Sequence, residues 1–364
     1  MTPRRVAILF VAGFLVILFA IWLSSKRHLE RATSAGELVL PGLDKALNSI
    51  TEVRLRKGDE TRTTLRRGAA DWTVAERGYP ADSGKVRKFL LDLASLNIVE
   101  EKTRTPANFP QLGVEDVNSP KSTGAQIDAV TPGKTYSLIV GKSSSAKSVY
   151  VRVAGGPQSL LVAPSLAVDT DPRRWLERSV LDVAQDRIKD FTIQPADGPG
   201  YTASRPSKDQ SDFTVTDIPK GRELANPTAA DPIAGSLAGL TLEDAQHSAS
   251  PATDPKPGAH ATFHTFDGLQ VDLSGRKDGN RTLVALLASS TDKASEAQAQ
   301  SLLARTRGWE YEIPSYKYDA IFRPLEDLLK KPPEPSKKPA PKAAAPKAAA
   351  PQAVAPKKPP KGTS

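Results

Sequence analysis

The chain holds four histidines, His28, His247, His260 and His264, and no cysteine, so a metal site would have to be built from imidazole and carboxylate donors. His260 and His264 have the i, i+4 spacing of a helical zinc pair, but Ala261 stands where the general-base glutamate belongs. The stretch Ala261-Thr-Phe-His-Thr-Phe266 also alternates as a strand does, which sets the two rings about 13 Å apart, too far to share an ion. Two phosphate-cradle lookalikes fail on similar grounds. Gly141-Lys142-Ser143 resembles the end of a P-loop, yet Tyr136 occupies the place of the glycine that opens the cradle. Gly198-Pro-Gly200-Tyr-Thr-Ala203 fits a loose dinucleotide pattern, but Pro199 and Pro206 deny the helix whose N-terminus would hold a pyrophosphate. No Gly-x-Ser-x-Gly nucleophile elbow occurs. Asp182, Asp186 and Asp190, and Glu243 with Asp244, have the chemistry for acid/base work, in competition with the ordinary roles of capping helices and solvating turns. Trp72, Tyr79, Trp175 and Trp309 read as core or corner residues ahead of ligand platforms. The expectation is a non-enzyme, with no catalytic, cofactor-binding or metal residue and no cofactor.

The elements that would carry these residues repeat. Ile50-Thr-Glu-Val-Arg-Leu55 matches Ile188-Lys-Asp-Phe-Thr-Ile193, and Asp71-Trp72-Thr73-Val74 matches Asp212-Phe213-Thr214-Val215, both alternating as half-buried strands. Val86, Phe89, Leu90, Leu93 and Leu96 recur as Ala230, Ile233, Ala234, Leu237 and Leu240, a spacing that lines one face of a helix. Asp82 or Ser83 suits the cap of the first helix and Asp231 before Pro232 the start of the second, while Gly235 and Gly239 weaken the second. Strand-like segments follow at Tyr136 to Gly141 and Val149 to Val153, then at Ala261 to Phe266, Leu269 to Leu273 and Arg281 to Leu287. Each copy closes alike, Leu161-Val-Ala-Pro164-Ser-Leu166 against Tyr311-Glu-Ile-Pro314-Ser-Tyr316, then Trp175 to Leu181 against Phe322 to Leu329. The predicted fold class is α+β: two similar units, residues 40–182 and 183–330, each an antiparallel sheet with a helix packed on one face.

Either end of the chain differs from this middle. Val6 to Leu23 is an uninterrupted apolar run, about 27 Å long as a helix and close to the hydrocarbon thickness of a bilayer. Ala20-Ile21-Trp22-Leu23-Ser24 offers no small-x-small cleavage site, which favours an uncleaved anchor over a signal peptide. Arg4 and Arg5 are nearly balanced by Lys26, Arg27 and Arg31 across the run. The short N-terminal tail then decides the orientation, staying inside while the long C-terminal part crosses. The expected organisation is a cytoplasmic N-terminus at 1–5, a single transmembrane anchor at 6–23, a juxtamembrane linker at 24–39, the two repeats, and a disordered Lys/Pro/Ala-rich tail at 331–364. The net charge of +9 is confined to the ends, with +4 on residues 1–31 and +7 on residues 331–364. The middle carries about −2, which argues against a nucleic-acid partner.

Leu40-Pro-Gly-Leu43, Ile50-Thr-Glu-Val53, Trp72-Thr-Val, Tyr79-Pro-Ala-Asp82 with Lys85-Val86, Leu93 to Val99, Lys102-Thr103 and Leu112-Gly-Val-Glu-Asp116 together resemble the domain-of-unknown-function family numbered 4340. Phe213-Thr-Val-Thr-Asp217, Gly221-Arg222 and Leu240-Thr-Leu-Glu-Asp244 repeat the pattern, and the resemblance extends from Leu38 to Leu329. It implies a bacterial envelope protein of the inner (cytoplasmic) membrane, its C-terminal domain outside the cytoplasm, associated with ABC transporters of the gliding-motility type. It transfers no catalytic residues, and the Lys/Pro/Ala tail departs from its usual pattern. The expected partners are the bilayer, through residues 6–23, and an ABC permease, auxiliary subunit or cargo. The alternative is a structural tether gripping anionic envelope polymer through the basic tail.

Overall fold

The computed structural model describes Ile17, Phe19 and residues 35–69, 71–248 and 258–331. The expected cytoplasmic segment, the span 6–23 apart from Ile17 and Phe19, and the tail beyond Lys331 lie outside the described residues. Among the described residues, no helix is long and apolar enough to cross a membrane.

Alternating residues make the strands. In β1 (Glu52–Lys57) Val53 and Leu55 are wholly buried while Arg54 faces out, the period-2 pattern of a sheet with one face on the core. β1 joins β2 (Arg62–Arg67), β3 (Trp72–Val74), β4 (Tyr79–Pro80), β5 (Asn97–Glu101), β6 (Ala125–Val130), β7 (Thr135–Ser145), β8 (Ser148–Val153) and β9 (Ser159–Ala163). They form a nine-stranded antiparallel sheet in the order β4-β3-β2-β1-β6-β7-β8-β9-β5. After β10 (Ser179–Leu181) come β11 (Ile188–Gln194), β12 (Tyr201–Ser204), β13 (Thr214–Val215), β14 (Leu240–Thr241), β15 (Asp244–His247), β16 (Ala259–Thr265), β17 (Leu269–Asp278), β18 (Arg281–Ser290) and β19 (Trp309–Glu312). The second sheet runs β13-β12-β11-β16-β17-β18-β19-β15, and β10 pairs with β14 between the two. Strand for strand the orders coincide, β4 being the one extra member. The molecule is thus mostly antiparallel sheet with a few helices, arranged as two similar units.

A small device is repeated with them. Arg67, at the end of β2, donates to Asn48 O in the turn before β1 and lies over the Trp72 ring. Arg205, just after β12, donates to Asp186 O in the turn before β11 and lies over Phe213. The arginine caps the entry turn of the first strand of each repeat.

The helices differ. Between β4 and β5, α1 (Ser83–Ala94) is capped by Asp82, whose side chain accepts from Lys85 N, and buries Val86, Phe89, Leu90 and Leu93. Its counterpart α2 (Asp231–Ala234) is a single turn followed by a 3-10 turn through Leu237. Leu240, expected on that helix, starts β14 instead; Pro232, Gly235 and Gly239 leave too little helix propensity to carry it further. Asp231 does not cap its own helix either, and accepts from Phe213 N at 3.1 Å. The second repeat also contains α3 (Lys293–Thr306) between β18 and β19, where the first has only a turn, and α4 (Ser315–Ile321) after β19. The ladder registers place Tyr311 opposite Val284 as Leu160 lies opposite Val151. Pairing Leu161 with Tyr311 therefore slips by one residue, which in a strand exchanges the two faces; Leu160 and Tyr311 are buried and Leu161 is not.

One hydrophobic cluster runs through both sheets, from Val39 to Leu329, and the described residues from 35 to 329 belong to one compact unit.

Candidate functional site

The two repeats meet where the turn between β3 and β4 reaches the far edge of the second sheet. Arg77 N and Gly78 N both donate to Val74 O, and Gly78 adopts a positive φ of 65°, which only glycine takes without cost. That tight turn aims Arg77 and Tyr79 at the second repeat. The Tyr79 ring meets Trp309 edge-on at 4.8 Å and Tyr311 at 6.0 Å, and Trp309 stacks on His247 at 4.0 Å. Burial raises the Tyr79 and Tyr311 hydroxyl pKa values above the ordinary phenol range. Beside this stack Arg77 binds Asp244 through two parallel bonds, Nε at 2.6 Å and Nη2 at 2.8 Å. The hydrogen bond to Asp244 holds the guanidinium pKa above its usual value.

Outside the stack lies a cleft of about 690 Å³ lined by Glu76, Arg77, Arg173, Asp244, Gln246, His247, Arg281 and Glu312, with Ala245. Its walls are ordered by hydrogen bonds. Arg281 donates to Glu312 at 2.6 Å and Gln246 at 3.0 Å, Arg173 to Asp171, and Glu76 accepts from Thr64 N. Gln246 also donates to Glu310, which Arg276 grips with two bonds at 2.7 Å. Those bonds from Arg276 hold Glu310 below the usual carboxylate range, against the opposing effect of its burial. The cleft is polar, prearranged and bounded by both repeats, a common position for a binding site.

The residues singled out by type and spacing are scattered. His260 and His264 lie on β16. His264 Nδ1 sits 2.6 Å from Asp190 Oδ1 and His260 Nδ1 lies 3.4 Å from Ser274 Oγ. Among the described residues no group of three or more histidines and carboxylates is placed to hold a metal. Asp182 accepts from Gly239 N, and Asp186 supplies only its carbonyl to Arg205, so with Asp190 paired to His264 the three aspartates do separate structural work. Gly141 is required by close approach and not by a phosphate: a Cβ there would fall 2.3 Å from Leu112 O, and Lys142 donates to Gln111 O in the same segment. Gly200 lies in the turn between β11 and β12. Trp72 and Trp175 are buried, Trp175 donating from Nε1 to Asp169 O. Tyr79 and Trp309 alone of the aromatic candidates reach the seam, where Asp244 joins them. Arg77, Arg173 and Arg281 belong to no motif; their cleft neighbours are far away in sequence, Arg77 and Asp244 being 167 residues apart.

A family model described as a domain of unknown function, DUF4340, matches residues 72–259. The chain belongs to this family. The DUF4340 match is narrower than the resemblance from Leu38 to Leu329, and it straddles the seam. It contains Arg77, Tyr79, Asp244 and His247 and stops short of Arg281, Trp309 and Glu312. Comparisons with curated proteins and with solved structures return no match.

Proposed function

We propose that this DUF4340 protein is a non-enzymatic, single-pass envelope protein of the inner membrane, an accessory subunit that binds an ABC-type transporter component or its cargo outside the cytoplasm. The observation that carries the binding role is the seam: two repeats welded by one core present a preformed polar cleft that neither could build alone. Anchoring rests on the apolar run 6–23. Gly36 to Val39 is stitched to the edge of β5, Gly36 N donating to Ile98 O and Val39 N to Leu96 O. Residues 24–35 join run to fold, a length of at most about 40 Å fully extended, so the start of the folded region lies within that distance of the membrane surface. The association with ABC transporters comes from the family resemblance.

Photo-crosslinking in intact membranes, from a reactive side chain on the cleft rim at Glu76, tests this. A polytopic permease or its partner subunit should be trapped, and deleting residues 331–364 should leave the product unchanged. Crosslinks to wall polymer alone, disappearing with the tail, would replace the accessory role by the tether, which the +7 charge of residues 331–364 favours. Protease applied to the outer face of the cytoplasmic membrane should digest the region beyond Ser34; complete protection would reverse the orientation.

A further inference from the structure

The lining of the seam cleft sums to no charge. Arg77, Arg173 and Arg281 stand against Glu76, Asp244 and Glu312, accompanied by Gln246, His247 and buried Ala245. Each arginine already has a carboxylate: Arg77 is held by Asp244, Arg281 by Glu312 and Arg173 by Asp171. An anionic ligand would compete with those carboxylates and a cationic one with the arginines, so the lining favours neither sign. An apolar ligand would cover the same polar groups without giving them hydrogen bonds, which is costly. What remains is a ligand that is polar and uncharged.

The hydrogen-bonding capacity left in the cleft is mixed. Arg77, Arg173 and Arg281 engage their neighbours through Nε and Nη2, which leaves the Nη1 donors of all three without a partner among the described residues. Glu76 accepts from Thr64 N and Glu312 from Arg281, each through Oε2, so Oε1 of both is left as an acceptor. A hydroxyl suits such a mixture, because it both donates and accepts and rotates to fit its neighbours. The cleft also offers a flat ring. Trp309 stacks on the His247 imidazole at 4.0 Å, and His247 is itself exposed and lines the cleft. The π cloud of an aromatic face is negative and attracts the C–H groups along one side of a pyranose ring. A volume of about 690 Å³ falls within the range of small-ligand sites.

We propose that the seam cleft binds an uncharged oligosaccharide, its hydroxyls meeting the free Nη1 donors of the three arginines and the free Oε1 acceptors of Glu76 and Glu312, with one sugar ring lying on His247. This rests on the reading of the cleft as a binding site and names the chemistry of what it takes. The prearranged pairs fix each donor and acceptor in place, so selectivity comes from hydroxyl positions.

The test applies the purified full-length chain, in detergent, to an array of uncharged oligosaccharides (maltotriose, cellotriose and N-acetylated chitotriose among them), of uronate-containing acidic ones and of deacetylated, cationic chitotriose, with acetyl-Ser-Gly-Ser-Gly-amide as an uncharged peptide. Binding should be confined to uncharged sugars. In solution the affinity for the sugar retained should stay within about threefold from about 0.05 to 0.5 M salt, since no net ionic attraction is there to be screened. Arg173→Ala, on the exposed rim and bonded only to Asp171 among the described residues, removes one donor and should weaken the sugar by up to about tenfold. His247→Ala removes the ring and should weaken it as well. Competition by the free oligosaccharide marks a soluble cargo, and retention only on isolated envelope polysaccharide marks a wall ligand; either supports the site. The inference is overturned if no uncharged sugar binds, if charged sugars or the peptide bind as tightly, if salt weakens binding further than stated, or if both variants bind like the parent. The array needs no permease, so failure here leaves the membrane crosslink as an independent measure of the accessory role.

Discussion

Among the described residues, the outer face of the first sheet is roofed and that of the second is not. Residues 102–124, between β5 and β6, lie across the first sheet, where Phe109 and Val114 pack on Ile139. Arg152 is buried beneath them, donating to Val114 O and Asp116 with its guanidinium over Phe109. The corresponding connection in the second repeat, residues 248–258, is about half as long. The matching face there carries Thr192, Thr202, Thr262, Asp272, His260 and Ser274, all exposed or half-exposed. One strand order therefore supports two surfaces, because register and entry turns set the sheet while connection lengths set what covers it. The first repeat puts its extra residues into a roof, and the second puts its own into α3 and α4. The seam cleft is lined by no residue of the roof, α3 or α4.

If the repeats share one core, equivalent core positions should be equally costly. Leu93 on α1 and Leu237 after α2 are 1% and 0% exposed, so Leu→Ala at either should destabilise the whole unit by about 2–5 kcal/mol. Denaturant unfolding followed by tryptophan fluorescence should show a single transition in both variants. Two separated transitions, with only one repeat affected by each substitution, would break the comparison at its base.

The capping arginines sharpen it, since the same device is buried in one copy and open in the other. The Arg205 side chain, on a residue 4% exposed, donates to the carbonyls of Gln185, Asp186, Ile188 and Gln210, whereas the side chain of exposed Arg67 donates, among the described residues, to Asn48 O. Arg205→Met leaves several carbonyls unsatisfied and should cost about 2–3 kcal/mol. Arg67→Met, whose carbonyl partner returns to water, should cost under about 1 kcal/mol. Equal losses in chemical denaturation would mean that burial of the arginine is not what distinguishes the repeats.

Strands that alternate against a single core face are legible from the sequence, and so is α1, whose apolar residues recur at helical spacing. β6 alternates as well, but its sequence does not reveal that Gln126 and Asp128, the polar half of the alternation, are themselves buried. The roof over the sheet hides a polar face that would otherwise read as solvent. α3 is hidden for the opposite reason: it buries Ser295, Ala299, Leu302 and Thr306, too small and too polar to mark an apolar stripe. The site is the least legible part. Asp244, Tyr79 and Trp309 stand out by residue type as ordinary candidates, but nothing local in Arg77, Arg173 or Arg281 foretells a cleft assembled from five separate parts of the chain.

The smallest expected effect contrasts two carboxylates under acid. Glu310 in the second repeat is held below the ordinary carboxylate pKa first by its hydrogen bond from Arg276, and Glu52 in the first repeat is lowered first by its bond from Arg54. A depressed folded-state pKa means that the unfolded chain binds the proton more readily. The stability these pairs contribute is therefore complete above the unfolded carboxylate pKa of about 4.3, and it is lost as pH falls through the lower folded value. The side chains of Glu310 and its partner Arg276 are 12% and 47% exposed, against 20% for Glu52 and 53% and 64% for its partners Arg54 and Arg66. Solvent screens the Glu52 pairs more, so Glu310→Gln should cost up to about 1 kcal/mol at pH 7 and Glu52→Gln only a few tenths. Urea titrations at pH 7, 5 and 3 should show both differences closing toward zero at the lowest pH, with the Glu310 difference the larger at pH 7. A Glu310→Gln penalty that persists unchanged at pH 3 would show that this carboxylate acts through packing and not through its charge.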